Sequence, residues 1–463
     1  MIRKNSAART FLCLLLAFVF AASCLPQTIF ATTDKKTVTT WPEGPENNSG
    51  AVCLLDADTG AVLYDKNMDE QRYPASITKI LTALLIIENK QMTDTVTFGE
   101  HAVSESIPGN ARINVQLGET ITVEDALHAI LLASANEVCT QLAIDIAGSE
   151  EGFAAMMNER AAELGCTGTH FCNPCGLHED DHYTTAHDLY RIAKQAMKDA
   201  TFRDIVSTVQ HRMAKTNLHE ERIILTTNQL IFSSFQPWSY ANCLGIKTGH
   251  TSQAGNCFVG YAEYGDAKLF SVVLGCSSSS KEYPTIAASF TDTKSLCQWG
   301  FKNFTSKTLA RQGEEVTYTK VKLSTDTNQV ILIAKNDLVS LLPKELDVKD
   351  LELQSDIPEE VAAPIKAGDT IGSVTYTYDG RDYGTVELVA LNDISRSTVL
   401  FYADKLSSFF QSIVFKVLLL AAAAFFLLHI FTGLVFGGVR RRRRHRSSRS
   451  RYNDSTYRRR HRK

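Results

Sequence analysis

The stretch Tyr73-Pro74-Ala75-Ser76-Ile77-Thr78-Lys79, running on into Ile80-Leu81-Thr82-Ala83-Leu84-Leu85-Ile86-Ile87, decides how this chain is read. The apolar run after Lys79 predicts a buried helix with Ser76 at its mouth. Residues three apart share a helix face, so Ser76 and Lys79 meet side by side. A serine hydroxyl is a poor nucleophile near neutrality and needs a base within hydrogen-bond reach, which a desolvated lysine can supply. Pro74 suits the first turn of a helix and leaves Ser76 near unpaired backbone N–H groups. Ser-x-x-Lys also occurs on ordinary exposed helices, so the motif needs support from elsewhere in the chain.

Before this stretch, Ala51 to Leu55 and Ala61 to Tyr64 read as two strands joined by a turn at Asp58-Thr59-Gly60. After it, helical periodicity predicts Glu124–Leu132, Glu137–Ala147, Glu150–Leu164 and Thr185–Lys198 as helices, and a further one at about 283–300. Short strands at Cys257–Tyr261 and Leu269–Gly275 follow Gly245. The first domain is therefore mixed α/β, with helices flanking a sheet. From Thr308 the alternation is strand-like. Ser373–Tyr378 and Thr385–Val389 flank Asp379-Gly380, a strong hairpin signal, so a second, small all-β domain is predicted.

The chain of 463 residues has ordinary globular composition, 44% hydrophobic and 21% charged, but its two ends differ from the rest. Arg3, Lys4 and Arg9 precede an apolar run from Phe11 to Ala22, the layout of a secretory signal peptide over 1–31, with residues 32–50 as a polar leader. A lipoprotein-type reading at Cys24 ranks second. Val417 to Val439 is 23 residues without formal charge, enough to cross a bilayer. Residues 440–463 hold 13 Lys/Arg against one acid; the rest of the chain carries 35 basic and 50 acidic residues. The positive-inside rule puts this tail in the cytoplasm and the preceding domains outside. A run of arginines directly after a span is accounted for as a topology signal that attracts anionic lipid, so no nucleic-acid partner is inferred. Residues 393–416 read as an amphipathic connector. Gly433-Leu434-Val435-Phe436-Gly437 fits a helix-dimerisation pattern, and His429 reads as a neutral residue within the span. Nine cysteines remain after Cys13 and Cys24 are set aside, and an odd number argues against a complete disulfide framework.

Two further motifs support Ser76. Ser134-Ala135-Asn136 falls at a helix-to-helix junction, where a hydroxyl and an amide can project together. Lys247-Thr248-Gly249 falls on an edge strand, where glycine admits a second backbone and Lys and Thr can bind a carboxylate. With these motifs, and with Asn173-Pro174, Gly176-Leu177, His182-Tyr183-Thr184-Thr185-Ala186 and Gly245 to Thr251, residues 50–300 resemble the serine-type D-Ala-D-Ala carboxypeptidases. These are the low-molecular-weight penicillin-binding proteins of the peptidase S11 family. The β region at 308–391 is similar to that family's C-terminal domain.

The resemblance implies a β-lactamase/transpeptidase-like catalytic domain with an antiparallel sheet over 51–307, a β domain over 308–392, and no cofactor or metal. It implies Ser76 as the acylated nucleophile, Lys79 as its base, Ser134 as a proton relay and Asn136 as a substrate-positioning residue. Lys247, Thr248 and Gly249 become the carboxylate-binding edge, and the backbone N–H groups of Ser76 and His250 the oxyanion hole. The implied partners are a peptidoglycan stem peptide ending in D-Ala-D-Ala and β-lactams that acylate Ser76. There are departures. Cys175 stands where family members often have histidine. His170, Cys172, Cys175, His178 and His182 are dense enough to raise zinc, and Cys172 with Cys175 a redox or disulfide pair. The family often anchors itself by an amphipathic helix, whereas here a full span is expected. Alternative readings are a β-lactamase, an endopeptidase or transpeptidase of the same fold, and a membrane-tethered wall-binding scaffold without activity. No Glu-x-x-Leu-Asn segment like that of class A β-lactamases is found, and Ser76, Lys79, Asn136 and Lys247 are all intact.

Overall fold

A computed structural model of the chain describes residues 41–432 apart from 108, 233–235, 278 and 285. The predicted signal peptide, most of the predicted leader, the glycine pair at 433 and 437 and the basic tail lie outside the described residues. From Gly44 onward the chain forms one unit.

Its first part is built on a five-stranded antiparallel sheet. The strands are β1 (Ala51–Asp56), β2 (Val62–Lys66), β5 (Cys243–Thr251), β6 (Gly255–Tyr264) and β7 (Ala267–Cys276), in the order β2-β1-β7-β6-β5. The opening hairpin is thus completed by strands nearly two hundred residues away, and β5 is left as an edge. Every residue of β1 is buried, because helices cover the sheet. α5 (Ala186–Ala196) and α6 (Ala288–Asn303) pack on its strands.

Helix α1 (Lys79–Asn89) buries every residue from Lys79 to Ile86. It is apolar all round because other helices surround it: α2 (Val123–Leu131), α3 (Asn136–Ala147), α4 (Glu150–Glu163) and α5. The caps agree with the sequence. Thr122, Ser149 and Thr185 each accept a backbone N–H at the start of α2, α4 and α5. A small hairpin, β3 (Gln210–Met213) with β4 (Arg222–Leu225), has no counterpart among the predicted elements.

The β domain holds a six-stranded sheet of β9 (Glu315–Lys322), β10 (Gln329–Ala334), β12 (Glu352–Asp356), β13 (Glu360–Ala362), β14 (Thr370–Tyr378) and β15 (Arg381–Ala390). The order is β12-β14-β15-β10-β9-β13. Asp379 and Gly380 have φ of 51° and 72°, the left-handed pair that a two-residue hairpin turn requires. Beside this sheet β8 (Phe304–Ala310) pairs with β11 (Leu338–Pro343), so one continuous strand runs through residues 307 and 308. The two domains are fastened at Asp56. Its carboxylate accepts from Asp58 N–H (3.0 Å), Thr59 Oγ1 (2.8 Å), Leu341 N–H (2.9 Å) and Ser340 Oγ (3.3 Å).

Beyond the β domain, α7 (Thr398–Gln411) has no buried residue. Ser412 breaks the helix, its hydroxyl accepting from Phe415 N–H, and α8 (Ile413–Thr432) follows. α8 is 20 residues with a mean hydropathy of 2.5, long and apolar enough to cross a membrane. It starts four residues before the predicted span, taking in Lys416.

Candidate active site

Ser76 sits on a single 3-10 turn, Ala75–Thr78, and the α-helix proper begins at Lys79. This differs from the predicted helix opening at Ser76. The reason is local: Ala75 is held at φ 52°, in the left-handed region, so the chain cannot enter an α-helix through it. Side chains three apart eclipse on a 3-10 turn, which brings Ser76 directly over Lys79.

The turn is secured from behind. Cys172 N–H donates to His182 Nδ1 (3.1 Å), so the ring proton lies on Nε2, which faces Thr78 Oγ1 at 2.9 Å. Thr78 Oγ1 in turn donates to the Ala75 carbonyl (2.9 Å). Burial, helped by the charges of His170, Lys79 and His178, pushes His182 down to about 4, keeping it neutral and the relay intact. Gly176 (φ 77°) lies against the same carbonyl; a Cβ there would fall 1.9 Å from Ala75 O. Asn173 shapes this loop, its Oδ1 accepting from the N–H groups of Cys175 (3.2 Å), Gly176 (2.8 Å) and Leu177 (3.1 Å).

Lys79 is 0% exposed. Its Nζ lies 3.1 Å from Ser76 Oγ, 2.8 Å from Asn136 Oδ1 and 2.6 Å from the Cys175 carbonyl oxygen. Two of these partners can only accept, so they occupy two N–H groups and leave the third direction to Ser76. The hydroxyl is the one partner able to donate to a neutral amine there. Ser76 itself is half-buried.

Asn136 is the first residue of α3, fixed by its N–H to Ala111 O (2.9 Å). Ser134 turns the corner between α2 and α3 at φ 65°. Its buried Oγ has no hydrogen-bond partner among the described residues.

β5 brings the third motif alongside. Gly249 passes so close to the 3-10 turn that a Cβ would come within 2.9 Å of Pro74 O and 3.2 Å of Ile77 N. Lys247 is 1% exposed and donates to its neighbour's carbonyl, Thr248 O (3.1 Å). Burial, and then the charge of Lys79, lowers it to about 7. Thr248 Oγ1 is 2.6 Å from Thr227 Oγ1, a residue the sequence offered no reason to single out. His250 is exposed at the rim of a cleft of about 570 Å³ that continues past the end of β5.

Ser76, Lys79 and Asn136 are thus joined by direct hydrogen bonds, and Lys247 lies within electrostatic reach of Lys79. Gly249 abuts the Ser76 turn, and Thr248 is tied to Thr227. Cys172 and Cys175 do not pair: Cys172 Sγ faces His170 Nδ1 at 3.7 Å, whereas Cys175 Sγ points to Asn136 O at 3.4 Å. Among the described residues no three His, Cys, Asp or Glu side chains converge as a metal-binding set. Asn173 and His182 stand in motifs that the sequence offered, but their part in holding the Ser76 turn, and that of the Cys175 carbonyl, comes from the structure.

Residues 37–278 match the peptidase S11 family model, D-alanyl-D-alanine carboxypeptidase, and residues 304–396 match the penicillin-binding protein 5 C-terminal domain. The D-alanyl-D-alanine carboxypeptidase DacF of Bacillus subtilis is 32% identical over 74% of this chain and 85% of its own. The crystal structure of penicillin binding protein 5 from Haemophilus influenzae superposes with a TM-score of 0.64 at 28% identity, covering 77% of this chain and all of that one. The Streptomyces K15 DD-transpeptidase aligns with a TM-score of 0.51 at 27% identity, over 56% of this chain and all of its own. Ser76 beneath an edge strand, with a buried lysine and an asparagine behind it, therefore sits on a known framework: the chain belongs to the D-alanyl-D-alanine carboxypeptidases of peptidase family S11.

Proposed function

We propose that the protein is a serine-type D-alanyl-D-alanine carboxypeptidase that removes the terminal D-Ala from peptidoglycan stem peptides through an acyl-enzyme on Ser76. The observation that carries this reading is the placement of Lys79 Nζ 3.1 Å from Ser76 Oγ, with its other two directions taken by obligate acceptors. Ser76 Oγ attacks the carbonyl carbon of the penultimate D-Ala as Lys79 takes the hydroxyl proton. The backbone N–H groups of Ser76 and His250 receive the oxyanion. Ser134 passes a proton to the departing D-Ala amine, the C–N bond breaks, and water later hydrolyses the ester. Asn136 holds the peptide amide while anchoring Lys79. Lys247, Thr248 and Thr227 take the terminal carboxylate, with Gly249 allowing β5 to lie close to the turn. A β-lactam, sharing the carbonyl and the carboxylate, acylates the same oxygen.

The test uses the detergent-solubilised full chain with a fluorescent penicillin and a pentapeptide ending in D-Ala-D-Ala. Wild type is expected to be labelled and to release D-alanine, and Ser76→Ala to do neither. Undiminished labelling of Ser76→Ala overturns the nucleophile assignment. One structural neighbour is a DD-transpeptidase, so an added amine acceptor distinguishes transfer from hydrolysis: a carboxypeptidase gives free acid as the main product. Rapid turnover of the penicillin would instead indicate a β-lactamase.

The same reading gives the chain its organisation: signal peptide 1–31, leader 32–50, catalytic domain 51–307, β domain 308–392, connector 393–416, span 417–439 and cytoplasmic tail 440–463. The charge asymmetry across the span and the apolar α8 support it. Protease added to intact cells should remove the catalytic domain and spare the tail.

A further inference from the structure

The cysteine at position 175 has its nearest sulfur neighbour on α3. Cys139 lies one helical turn beyond Asn136, and its thiol donates to Ala135 O (3.3 Å). Cys175 Sγ donates to Asn136 O (3.4 Å) and touches Thr140 Oγ1 (3.6 Å), the residue after Cys139. Both thiols are buried and free, and both sulfurs lie against neighbouring carbonyls at the start of α3. They also sit directly behind the catalytic lysine. Asn136 Oδ1 on α3 and the carbonyl of Cys175 itself are two of the three partners of Lys79 Nζ.

We propose that Cys139 and Cys175 are a site of oxidative modification, forming a disulfide that ties α3 to the 172–177 loop and disturbs the seat of Lys79. The two thiols have unequal roles. Cys175, which the charge of Lys79 faces, is the attacking sulfur, and Cys139, held protonated by burial, resolves it. With a peroxide as oxidant, Cys175 sulfur attacks one oxygen, the O–O bond breaks, and the departing hydroxide takes a proton to leave as water. The sulfenic acid on Cys175 is then displaced by Cys139 sulfur, the S–S bond forms, and the hydroxyl leaves with the Cys139 proton as a second water. Two thiols have lost two electrons and two protons, and the peroxide has been reduced to two waters. A small oxidant suits a buried pair. Closing the sulfurs to a bonding distance of about 2 Å draws the loop and the start of α3 together. That shift moves the two acceptors that aim Lys79 at Ser76. Displacements of this size at a catalytic group slow reactions by on the order of tenfold to a hundredfold.

The effect on acylation rests on the reading of Ser76 above, but the cross-link does not, and the two are measured separately. Purified full-length protein is treated with hydrogen peroxide, its remaining thiols are alkylated, and it is digested for mass spectrometry. A peptide joining Cys139 to Cys175, lost on dithiothreitol treatment, is expected. Both thiols recovered as alkylated peptides, or Cys175 joined to Cys172, would overturn the site. In parallel, the rate of fluorescent-penicillin labelling should fall at least tenfold on oxidation and recover on reduction. Cys139→Ala and Cys139→Ser, checked for an unchanged melting temperature, should label as wild type before peroxide and lose the reversible response. A cross-link without slower labelling would leave the modification site standing and remove its consequence for Lys79. If Ser76 proves not to be the nucleophile, the mapped peptide still decides the disulfide.

Discussion

At Lys247 the protein places a cation where water cannot reach it, and its proton is correspondingly weakly held, at about 7 against an ordinary 10.5. The unfolded chain keeps that proton up to its ordinary value, so between about 7 and 10.5 it binds more protons than the folded one. The folded state therefore gains stability from this group as pH rises through that window. Binding runs the other way. If Lys247 binds the terminal carboxylate as proposed, it needs the charged form, so KM for D-Ala-terminated peptide should climb as pH rises above about 7. A pH series of KM on wild type and Lys247→Arg checks this, with Arg expected to flatten the rise. Beside it, Thr227 shares a 2.6 Å hydrogen bond with Thr248. Thr227→Val keeps the shape but removes the proposed donor to the carboxylate, and is expected to raise KM about tenfold with kcat little changed. His182 acts on the acid side. Its folded-state value of about 4 lies below the ordinary 6.5, so its contribution is complete above 6.5 and is lost as pH falls towards 4. The loss amounts to about 3 kcal/mol. Thermal melts of wild type against His182→Gln across that range should show the variant with the shallower acid slope.

Among the elements, the 3-10 turn depends most on its neighbours. Gly176→Ala would drive a methyl into the Ala75 carbonyl from a backbone angle that disfavours any side chain. We expect either insoluble protein or a folded one that penicillin labels at least a hundredfold more slowly, read by gel fluorescence on the soluble fraction. This dependence also explains what the sequence could convey. Ser76, Lys79, Asn136 and Lys247 were legible because each is chemically distinctive and stands at a motif spacing, and β5 was legible as an edge strand. The Asp379-Gly380 hairpin was legible because its turn needs two left-handed residues. α1 starts three residues after the position that periodicity predicts, because periodicity does not reveal the left-handed Ala75, against whose carbonyl Gly176 packs. Thr227 and the Cys175 carbonyl carried no signal, since a hydroxyl in a connecting segment and a backbone oxygen look alike everywhere. The β3–β4 hairpin, Gln-His-Arg-Met against Arg-Ile-Ile-Leu, lacks clear alternation, and both of its strands are partly exposed.

Across the whole molecule, Asp56 links the two folded domains by offering one carboxylate to donors from both. Asp56→Ala leaves a buried N–H at Leu341 unpaired, which costs about 1–3 kcal/mol. Calorimetry should then show the β domain melting apart from the catalytic domain, where wild type melts as one. Acylation should be nearly unaffected, because Ser76 and its partners lie at the far edge of the sheet from β1. That edge has a consequence of its own. Among the described residues β5 pairs along the sheet with β6 alone, so the main-chain groups of its other side have no strand partner. On the proposed reading, an extended peptide docked along that edge would add itself as a sixth strand and be gripped by its main chain. Such a grip ignores most upstream side chains. Selectivity would then fall on the end of the peptide, where Lys247 and Thr248 would meet its free carboxylate.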